Sequence, residues 1–467
     1  MLYSFNGKYW EAEEDEIIMR YYIGNELHKT LYEIYIYCYH DNLGSEERKR
    51  IEGNLRRLQS LQFKKEIVET TKEILKNNDD IFDNNPFLLG FTNMVYDLNV
   101  GQFRNYQRSD MISLTTGYDW KDPTTEELNT MTKLINSIMP REDERECYLR
   151  ILATGLVGMA LEKFILFNGG GRNGKGVMDD LFLCALGLQL GLQGNNALLT
   201  EKRRSWANPE YANLHKKRFV VFREPSIRQK FENSLVKELT GGGSFSARGL
   251  YQSNTNKQLH MTCVVECNKK PLFTESPEVA DVERVIDILF RNTFTAEKQE
   301  DVNPELGIYL CNPKYKDSSF KVQHRYALLK IVMDAYKHYA KDNCNLKIPA
   351  TIKARSNDYL EQSCELYQWI MENYEKTDNP KDVIKINEMY LRFKISDFYD
   401  NLNKNDKRKY SEKTFISQIE GMVFLKGHYC KRKQIGKNQY RNILCNLKEK
   451  EDNLHDTTVV VYEEELN

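Results

Sequence analysis

The sequence predicts an α/β protein, in which a mixed, mainly helical N-terminal region precedes a central α/β domain and a C-terminal winged-helix domain. The central domain is predicted from four short apolar runs, rich in Val, Ile and Phe, at residues 163–167, 218–222, 262–266 and 285–290. Short continuous apolar runs are typical of strands buried on both faces of a sheet. Stretches with helical periodicity separate the runs, and this alternation favours an α/β domain.

Length and composition restrict the class of protein. The chain has 467 residues, which is too long for one compact core and predicts several domains. Hydrophobic residues make up 40% and charged residues 29%, as in globular rather than disordered proteins. Neither a signal peptide nor a run of 18 apolar residues is visible, so no membrane span is expected. The ten cysteines are scattered without C-x-x-C spacing, as expected for reduced thiols in an intracellular protein.

The first 150 residues combine helices with a short β element. Residues 24–75 have helical periodicity and few helix breakers. Residues 87–107 alternate apolar and polar side chains and turn at residues 99–101, which predicts short strands. A polar stretch at residues 121–128 supplies residues that favour a helix start.

A glycine-rich loop follows the first apolar run directly and precedes a helical pattern. Its G-x-x-x-x-G-K pattern predicts a phosphate-binding loop, in which backbone N–H groups and a helix N-terminus face phosphate oxygens and Lys175 reaches the β and γ phosphates. The residues predicted to bind the nucleotide are Gly169, Gly170, Gly171, Arg172, Asn173, Gly174, Lys175, Gly176 and Val177. The alternative is a glycine-rich turn with a chance lysine. Gly176 stands where the usual loop has Ser or Thr, whose hydroxyl binds Mg²⁺.

Three polar residues beside the other apolar runs are candidates for catalysis. Glu224 follows the second run and could hold metal-bound water and orient the attacking water, although it could also be a surface residue at a strand end. Asn268 follows the third run and could orient water beside the γ-phosphate, although Asn also favours turns. Arg284 precedes the fourth run and could stabilise transition-state charge at a neighbouring subunit's site, with a structural ion pair as the alternative.

The C-terminal third returns to helices and ends in a basic hairpin. Residues 320–375 are predicted to be helical, and residues 380–447 are predicted to be helices followed by a hairpin that turns at Gly436, which is a winged-helix pattern. Residues 401–450 contain 13 Lys or Arg against four Asp or Glu, and the tail after them is acidic. A charge run is usually a solvated face, so it indicates DNA binding only together with other observations.

Taken together, these motifs resemble those of superfamily III helicases. The order and spacing of Gly169–Lys175, Glu224, Asn268 and Arg284 are most similar to the helicase part of the poxvirus primase-helicase and its relatives in other large DNA viruses, phages and plasmids. FLLGFTNMVYDLNVGQFRNY resembles the entry region before that motor, and VKELTGGGSFSARGLY resembles the extra motif between its second and third strands. Nothing resembles the primase domain that many relatives carry upstream, so the chain is expected to be either a stand-alone helicase or the helicase part of a larger protein.

The resemblance implies an ATP-dependent hexameric DNA helicase of viral DNA replication, with an AAA+-like motor and with ATP and Mg²⁺ as cofactors. It implies that Glu224 polarises the attacking water and holds the metal through water, that Asn268 positions this water, and that Arg284 comes from the adjacent subunit. At Gly176 a water molecule is expected to replace the missing hydroxyl on the metal. One alternative is a nucleotide-regulated DNA-binding ring, a loader or clamp without unwinding. Another is a capsid or chromatin remodelling ATPase, which the motif between the second and third strands argues against.

The resemblance also divides the chain. It implies a collar or entry region at residues 1–150, the motor at 151–310, a helical segment at 311–379, and a winged-helix-like DNA-binding domain with an acidic tail at 380–467. The implied partners are single-stranded and forked DNA, further copies in a homohexamer, a primase and other replication proteins, without a membrane. The implied location is the host cytoplasm or a viral replication factory.

Two groups of residues are expected to contact DNA. The resemblance implies that the first group lies on a hairpin pointing into the channel of the ring, where Tyr251 would stack on a base. The second group is expected on the winged helix, where basic side chains would meet phosphates. The residues are Arg248, Tyr251 and Lys257 in the first group and Lys431, Arg432 and Lys433 in the second. The alternatives are an ordinary solvated hairpin for the first group and a basic protein-binding domain for the second.

Overall fold

The structure is a computed structural model that describes residues 2–13, 15–75, 82–200, 209–242, 244–247, 255–274, 279–435 and 438–450. It contains two compact units, Met1–Asp122 with Leu186–Leu190, and Pro123–Ala185 with Gly191–Asn467. Each unit has hydrophobic cores of its own. Within the described ranges, no helix combines the length and the apolar character needed to cross a membrane.

The first unit begins with a hairpin and a group of helices. The hairpin pairs β1 (Leu2–Phe5) with β2 (Trp10–Glu13) antiparallel. The helices are α1 (Ile17–Tyr22), α2 (His28–Ile34), α3 (Ser45–Arg57) and α4 (Leu61–Ile74), with π-helical turns at Ile23–Leu27 and Tyr35–Tyr39. Ile23, Tyr35, Leu55 and Val68 are buried in one core, which confirms the predicted helical periodicity.

A small antiparallel sheet follows in the same unit. Its strands are β3 (Leu88–Gly90), β4 (Val95–Asp97) and β5 (Gln102–Arg104), as the alternating pattern predicts. The ring of Phe103 stacks on Trp120 with centroids 4.6 Å apart, so aromatic contacts stabilise this short sheet.

Two helices open the second unit, α5 (Thr125–Ile138) and α6 (Glu142–Thr154). The Thr124 hydroxyl accepts a hydrogen bond from the Glu127 N–H at 3.2 Å, and the Glu127 carboxylate accepts one from the Thr124 N–H at 2.9 Å. This capping box satisfies backbone N–H groups that lack partners at a helix start. The predicted helix start is therefore confirmed.

The second unit is built on a parallel sheet. Its strands, with those of one separate hairpin, are β6 (Phe164–Asn168), β7 (Gly191–Gly194), β8 (Phe219–Arg223), β9 (Ser244–Ala247), β10 (Thr255–Gln258), β11 (Thr262–Cys267) and β12 (Val285–Leu289). The sheet has the order β12-β6-β11-β8-β7, while β9 and β10 pair antiparallel. All four predicted strands of the sheet are confirmed. The residues that follow β6, β8 and β11 therefore meet at one edge, the carboxyl edge of the sheet.

Helices connect these strands. They are α7 (Lys175–Leu190), α8 (Ala197–Thr200), α9 (Pro209–Asn213), α10 (Asn233–Thr240) and α11 (Val279–Arg284). The predicted helix after the glycine loop is α7, which bends at Gly187, where φ is +73°. A Cβ atom at Gly187 would overlap the carbonyl group of Thr116, so only glycine fits the bend.

After the sheet, β13 (Thr293–Ala296) and β14 (Ile308–Leu310) pair parallel, and three helices follow. These are α12 (Ser318–Lys341), α13 (Ala350–Ser363) and α14 (Glu365–Asn373), as predicted for residues 320–375. The Tyr359 ring of α13 is buried in the core beside the sheet, and its hydroxyl donates to the Pro271 carbonyl at 2.5 Å. This buried bond fixes α13 against the loop that follows β11.

The C-terminal part has its own core and two small antiparallel sheets. Its elements are β15 (Tyr374–Lys376), β16 (Val383–Lys385), α15 (Ile386–Lys394), α16 (Asp397–Asp400), α17 (Lys404–Lys407), α18 (Glu412–Gly421), β17 (Tyr429–Ile435), β18 (Asn438–Cys445) and β19 (Leu447–Glu449). The sheets are β16-β18-β17 and β15-β19. Trp369, Phe393 and Phe415 lie in the core. The predicted helices and hairpin strands are confirmed, while Gly436 and the acidic tail lie outside the described residues.

Candidate active site

The glycine loop between β6 and α7 has a backbone that depends on two of its glycines. Gly169 has φ +144°, and a Cβ atom there would lie 2.5 Å from the Phe290 carbonyl oxygen. Gly174 has φ +87°, and a Cβ atom there would lie 2.8 Å from the Ile138 side chain. Both the left-handed φ and the close neighbours exclude a larger residue. The backbone of the loop can therefore connect β6 to α7 in this conformation only with glycine at both positions.

Lys175 is the first residue of α7, and only 2% of its surface is exposed. Its ammonium group donates to the carbonyl oxygens of Gly169 at 2.8 Å and Gly170 at 3.3 Å, and to Oδ1 of Asn268 at 3.0 Å. Burial lowers the pKa of Lys175 from its ordinary value, because desolvation disfavours the charged form. Two loop carbonyls and one side-chain amide therefore hold the ammonium group in place.

Asn268 connects Lys175 to Glu224. Its Nδ2 atom donates to Oε1 of Glu224 at 2.8 Å, while its Oδ1 atom accepts from Lys175. Glu224 has a left-handed φ of +46°, and its N–H donates to the Glu266 carbonyl at 2.8 Å. Such a conformation costs about 1–3 kcal/mol in a residue other than glycine and is concentrated at functional sites. The structure thus brings three predicted residues together at the carboxyl edge of the sheet.

Arg284 lies elsewhere. It precedes β12, whose Val285 pairs with Phe164 at the start of β6, so Arg284 lies at the amino edge of the sheet. A five-residue strand spans about 16 Å at roughly 3.3 Å per residue, which separates Arg284 from the glycine loop of its own chain. Its Nε and Nη1 atoms are buried without a hydrogen-bond partner among the described residues.

An acidic group that sequence reasoning missed lies beside the loop. Glu266 of β11 places Oε1 3.3 Å from the position that a Cβ atom of residue 176 would take, and its Oε2 lies 3.3 Å from Nε of Arg223. Asp179, one helical turn after Gly176, is 1% exposed. Burial, followed by the neighbouring Glu266 carboxyl, raises the pKa of Asp179 well above its ordinary value. Two signals could have found the group: side chains two apart on a strand share a face, and those three apart on a helix are neighbours.

A cavity of about 580 Å³ with a mainly apolar lining adjoins the loop. Its lining includes Ile138, Arg172, Val177, Phe294 and Tyr315. The volume lies within the range of about 300–1,000 Å³ that is typical of small-molecule sites. The cavity is large enough and apolar enough for an aromatic base beside phosphate groups on the loop.

The predicted DNA-contacting residues are only partly described. Arg248 and Tyr251 lie outside the described residues, and Lys257 is placed on β10 opposite Phe245. The other predicted residues, Lys431, Arg432 and Lys433, lie on β17.

These three residues differ in their surroundings. Lys431 and Arg432 are exposed, and Lys431 lies 3.7 Å from Glu420. Lys433 is partly buried, with Nζ 3.3 Å from Sγ of Cys445. Strand β17 therefore presents two cations to solvent.

With this geometry established, comparison with known proteins defines the class of protein that the chain resembles. A family model described as "D5 N terminal like" matches residues 1–140. A solved apo structure of the NrS-1 C-terminal region covers 75% of this chain and 93% of that chain at 11% identity, with a TM-score of 0.36. That TM-score is too low to define a common fold.

The particular relatives are proteins of large DNA viruses. The chain is 26% identical over 361 residues to a putative helicase of Invertebrate iridescent virus 3, covering 73% of this chain and 38% of the relative. It is 26% identical over 347 residues to a putative helicase of Acanthamoeba polyphaga mimivirus, covering 72% and 36%. It is 27% identical over 284 residues to "Primase D5" of Fowlpox virus, covering 56% and 35%. The resemblance to poxvirus-type primase-helicases is confirmed, and the chain spans little more than a third of the length of these relatives.

Proposed function

We propose that the chain is the ATP-driven motor of a DNA helicase for viral DNA replication, of the superfamily III type with an AAA+-like fold. The observation that carries the proposal is the set of hydrogen bonds from Lys175 through Asn268 to Glu224 beside the glycine loop. This set combines a cation that can bind phosphate with an amide and a carboxylate that can bind the attacking water. Relatives named helicase or primase in large DNA viruses support the same class of function.

The residues at the loop fit a nucleoside triphosphate. Cβ atoms at Gly170 and Gly171 would meet no atom of the described residues within 4 Å, so that part of the chain leaves this side of the loop open. The backbone N–H groups at the start of α7 and the ammonium group of Lys175 favour phosphate oxygens there. The apolar cavity beside Arg172 and Val177 accommodates the base. ATP is accordingly the proposed ligand, with Lys175 exchanging its carbonyl partners for phosphate oxygens.

Hydrolysis is assigned to the residues at the carboxyl edge. When bound, Mg²⁺ would neutralise the negative charge on the β and γ phosphates, and Glu224 is assigned to hold it through water. Glu224 polarises the attacking water, and Asn268 fixes the direction of the carboxylate through its 2.8 Å hydrogen bond. Arg284 is assigned to the site of the adjacent subunit, because it lies at the other edge of its own sheet. Ring assembly, as a hexamer, then completes each site.

DNA binding is assigned to the β9–β10 hairpin and to the C-terminal part, which we interpret as a winged helix. The support is the order of helices followed by the β17–β18 hairpin, and the exposure of Lys431 and Arg432 on β17. Exposed cations on a hairpin attract the phosphate backbone of DNA, and their binding releases counterions from the DNA.

Strand displacement tests the proposal. Purified chain is mixed with a forked duplex that carries a fluorophore and a quencher, with ATP or with a non-hydrolysable analogue, and its assembly is determined by mass photometry. ATP-dependent displacement by a ring supports the helicase. DNA-stimulated hydrolysis by a ring without displacement supports the loader or clamp instead. A chain that binds no nucleotide refutes both.

A further inference from the structure

Gly176 has ordinary helical geometry, so its backbone does not explain why glycine stands at this position. Its φ lies outside the left-handed region, and other residues could adopt it. The space around it is limited instead. Oε1 of Glu266 lies 3.3 Å from the position of a Cβ atom, closer than most contacts of real side chains. A carboxylate oxygen therefore lies close to the place where the hydroxyl of a Ser or Thr at position 176 would be.

Glu266 is well placed relative to the residues assigned to hydrolysis. It stands two residues before Asn268 on β11, and alternate residues of a strand share a face. Its side chain is 12% exposed, and Nε of the Arg223 guanidinium lies 3.3 Å from its Oε2 atom. Arg223 is also bound by Asp180 at 2.6 Å. Asp180 is also bound by Lys321 at 2.7 Å. Arg223 contacts Oε2 of Glu266, so Oε1 is the oxygen that lies nearer to Gly176.

Asp179 provides an independent indication of a cation site. It is 1% exposed, and neither of its carboxyl oxygens accepts a hydrogen bond from an N–H or hydroxyl group among the described residues. A buried carboxyl without partners is unfavourable, because it loses hydration and gains nothing in return. Its carboxyl group lies against that of Glu266, which places it at the same site. A divalent cation with its water shell would supply hydrogen-bond donors to these buried oxygens.

In common phosphate-binding loops Mg²⁺ is held by a Ser or Thr after the lysine and by an acidic residue at a strand end. Here Gly176 occupies the position of the Ser or Thr, so it offers no hydroxyl. The strand before Glu224 ends in Arg223, which is a cation and not a metal ligand. The geometry points to Glu266 as the direct carboxylate ligand of the divalent cation that accompanies the nucleotide, in place of the hydroxyl that Gly176 lacks, with Asp179 bound to its water shell. Mg²⁺ favours this type of site, with one or two carboxylates, phosphates and water. This inference rests on the proposed nucleotide binding.

The test measures metal binding rather than turnover. Mn²⁺ is titrated by electron paramagnetic resonance into the full chain saturated with a non-hydrolysable ATP analogue, and analogue affinity is measured separately in EDTA by fluorescence. Glu266→Gln is expected to weaken Mn²⁺ binding by about tenfold or more, the scale for loss of groups at a metal site, while affinity in EDTA is kept. Glu266→Asp keeps the charge but has a shorter side chain, so its Mn²⁺ affinity is expected to lie between those of the wild type and of Glu266→Gln. Glu162→Gln, an exposed carboxylate before β6, is the matched control.

A rescue experiment separates a metal ligand from a merely structural residue. Glu266→Ala removes both the carboxylate and the crowding at residue 176, and adding Gly176→Ser to it supplies a hydroxyl ligand. Recovery of Mn²⁺ affinity by at least half of the loss on a logarithmic scale supports the inference. Unchanged Mn²⁺ affinity in Glu266→Gln and Glu266→Asp, or a loss in Glu266→Ala that Gly176→Ser does not correct, overturns it. Failure of the wild-type chain to bind the analogue would instead refute the proposed function.

Discussion

The amide oxygen of Asn268 accepts a hydrogen bond from the ammonium group of Lys175 at 3.0 Å, although 93 positions separate the two residues in sequence. This contact fixes which end of the amide faces the lysine, and so directs Nδ2 toward Glu224. One asparagine thereby couples the group assigned to phosphate with the group assigned to water.

Replacement of Lys175 by Ala is expected to abolish ATP hydrolysis and to weaken nucleotide binding, because no other ammonium group is bonded to the loop carbonyls in the described residues. The fold should persist, since the partners of Lys175 are loop carbonyls and one amide. ATPase rate and nucleotide affinity are measured, with Lys298→Ala as the control because Lys298 is 75% exposed. Near-normal turnover in Lys175→Ala would refute the site.

Glu224→Gln tests hydrolysis separately from binding. Glutamine keeps an oxygen that can accept from Asn268 but removes the charge that polarises water. We expect ATP to bind and single-turnover hydrolysis to fall by roughly a hundredfold or more, the scale of lost acid–base groups. Glu305→Gln, an exposed carboxylate, serves as the control. If the variant loses ATP binding, and not only hydrolysis, the assigned role of Glu224 is wrong.

Arg284→Ala should impair hydrolysis at the site of a neighbouring subunit only. Arg284 lies at the amino edge of its own sheet, so a chain with Lys175→Ala still offers an intact Arg284 to its neighbour. Co-expression of the two inactive variants under different affinity tags should give mixed rings with measurable ATPase activity. Mixed rings as inactive as the two parents would contradict a role between subunits, as would full activity of Arg284→Ala alone.

Charge reversal of β17 tests DNA binding better than truncation before Lys381. Truncation would remove β19 from β15 and uncover Trp369, so it would damage the core as well as the surface. Lys431→Glu with Arg432→Glu is expected to weaken DNA binding and to lower the slope of log affinity against log salt by about one for each phosphate that is no longer neutralised. Fluorescence anisotropy across a salt series measures both, with Lys298→Glu as the control. An unchanged slope and affinity would favour a protein-binding surface.

Glu144 is expected to be a major electrostatic contribution to stability. Its carboxylate, 3% exposed, accepts hydrogen bonds from Arg291 at 3.0 Å, Arg355 at 3.1 Å and Thr351 at 2.8 Å. Burial alone would raise its pKa, but these donors hold the pKa below its ordinary value. Glu144→Gln should lower the free energy of unfolding by about 3 kcal/mol, the scale for breaking a buried ion pair.

The pH dependence of this contribution has a definite sign. Because the folded-state pKa of Glu144 is lowered, its stabilisation is present above the unfolded-state pKa and is lost as pH falls through the folded value. Urea unfolding of wild type and Glu144→Gln at pH 7 and at decreasing pH should therefore converge in acid. Glu300→Gln, at a carboxylate 74% exposed, should change stability by less than about 1 kcal/mol. A constant difference at all pH values would contradict the assignment.

The sequence by itself determined the local elements. Apolar runs predicted four strands of the parallel sheet, the polar stretch at residues 121–128 predicted a helix start, and the G-x-x-x-x-G-K pattern predicted the loop. Each of these depends on residues within a few positions of one another, which is the range over which periodicity, capping and turn chemistry act. The motifs also carried the resemblance to viral primase-helicases.

Only the tertiary structure decided which of these elements are neighbours. Strand β7, Gly-Leu-Gln-Gly, has no apolar run and is a strand because it pairs with β8. The position of β11 between β6 and β8 brings Asn268 to Lys175, and sets Glu266 against Gly176 and near Asp179. The same strand order places Arg284 at the opposite edge. Strand pairing and the burial of charge join residues that are distant in the chain, and no local pattern records which distant segments will meet.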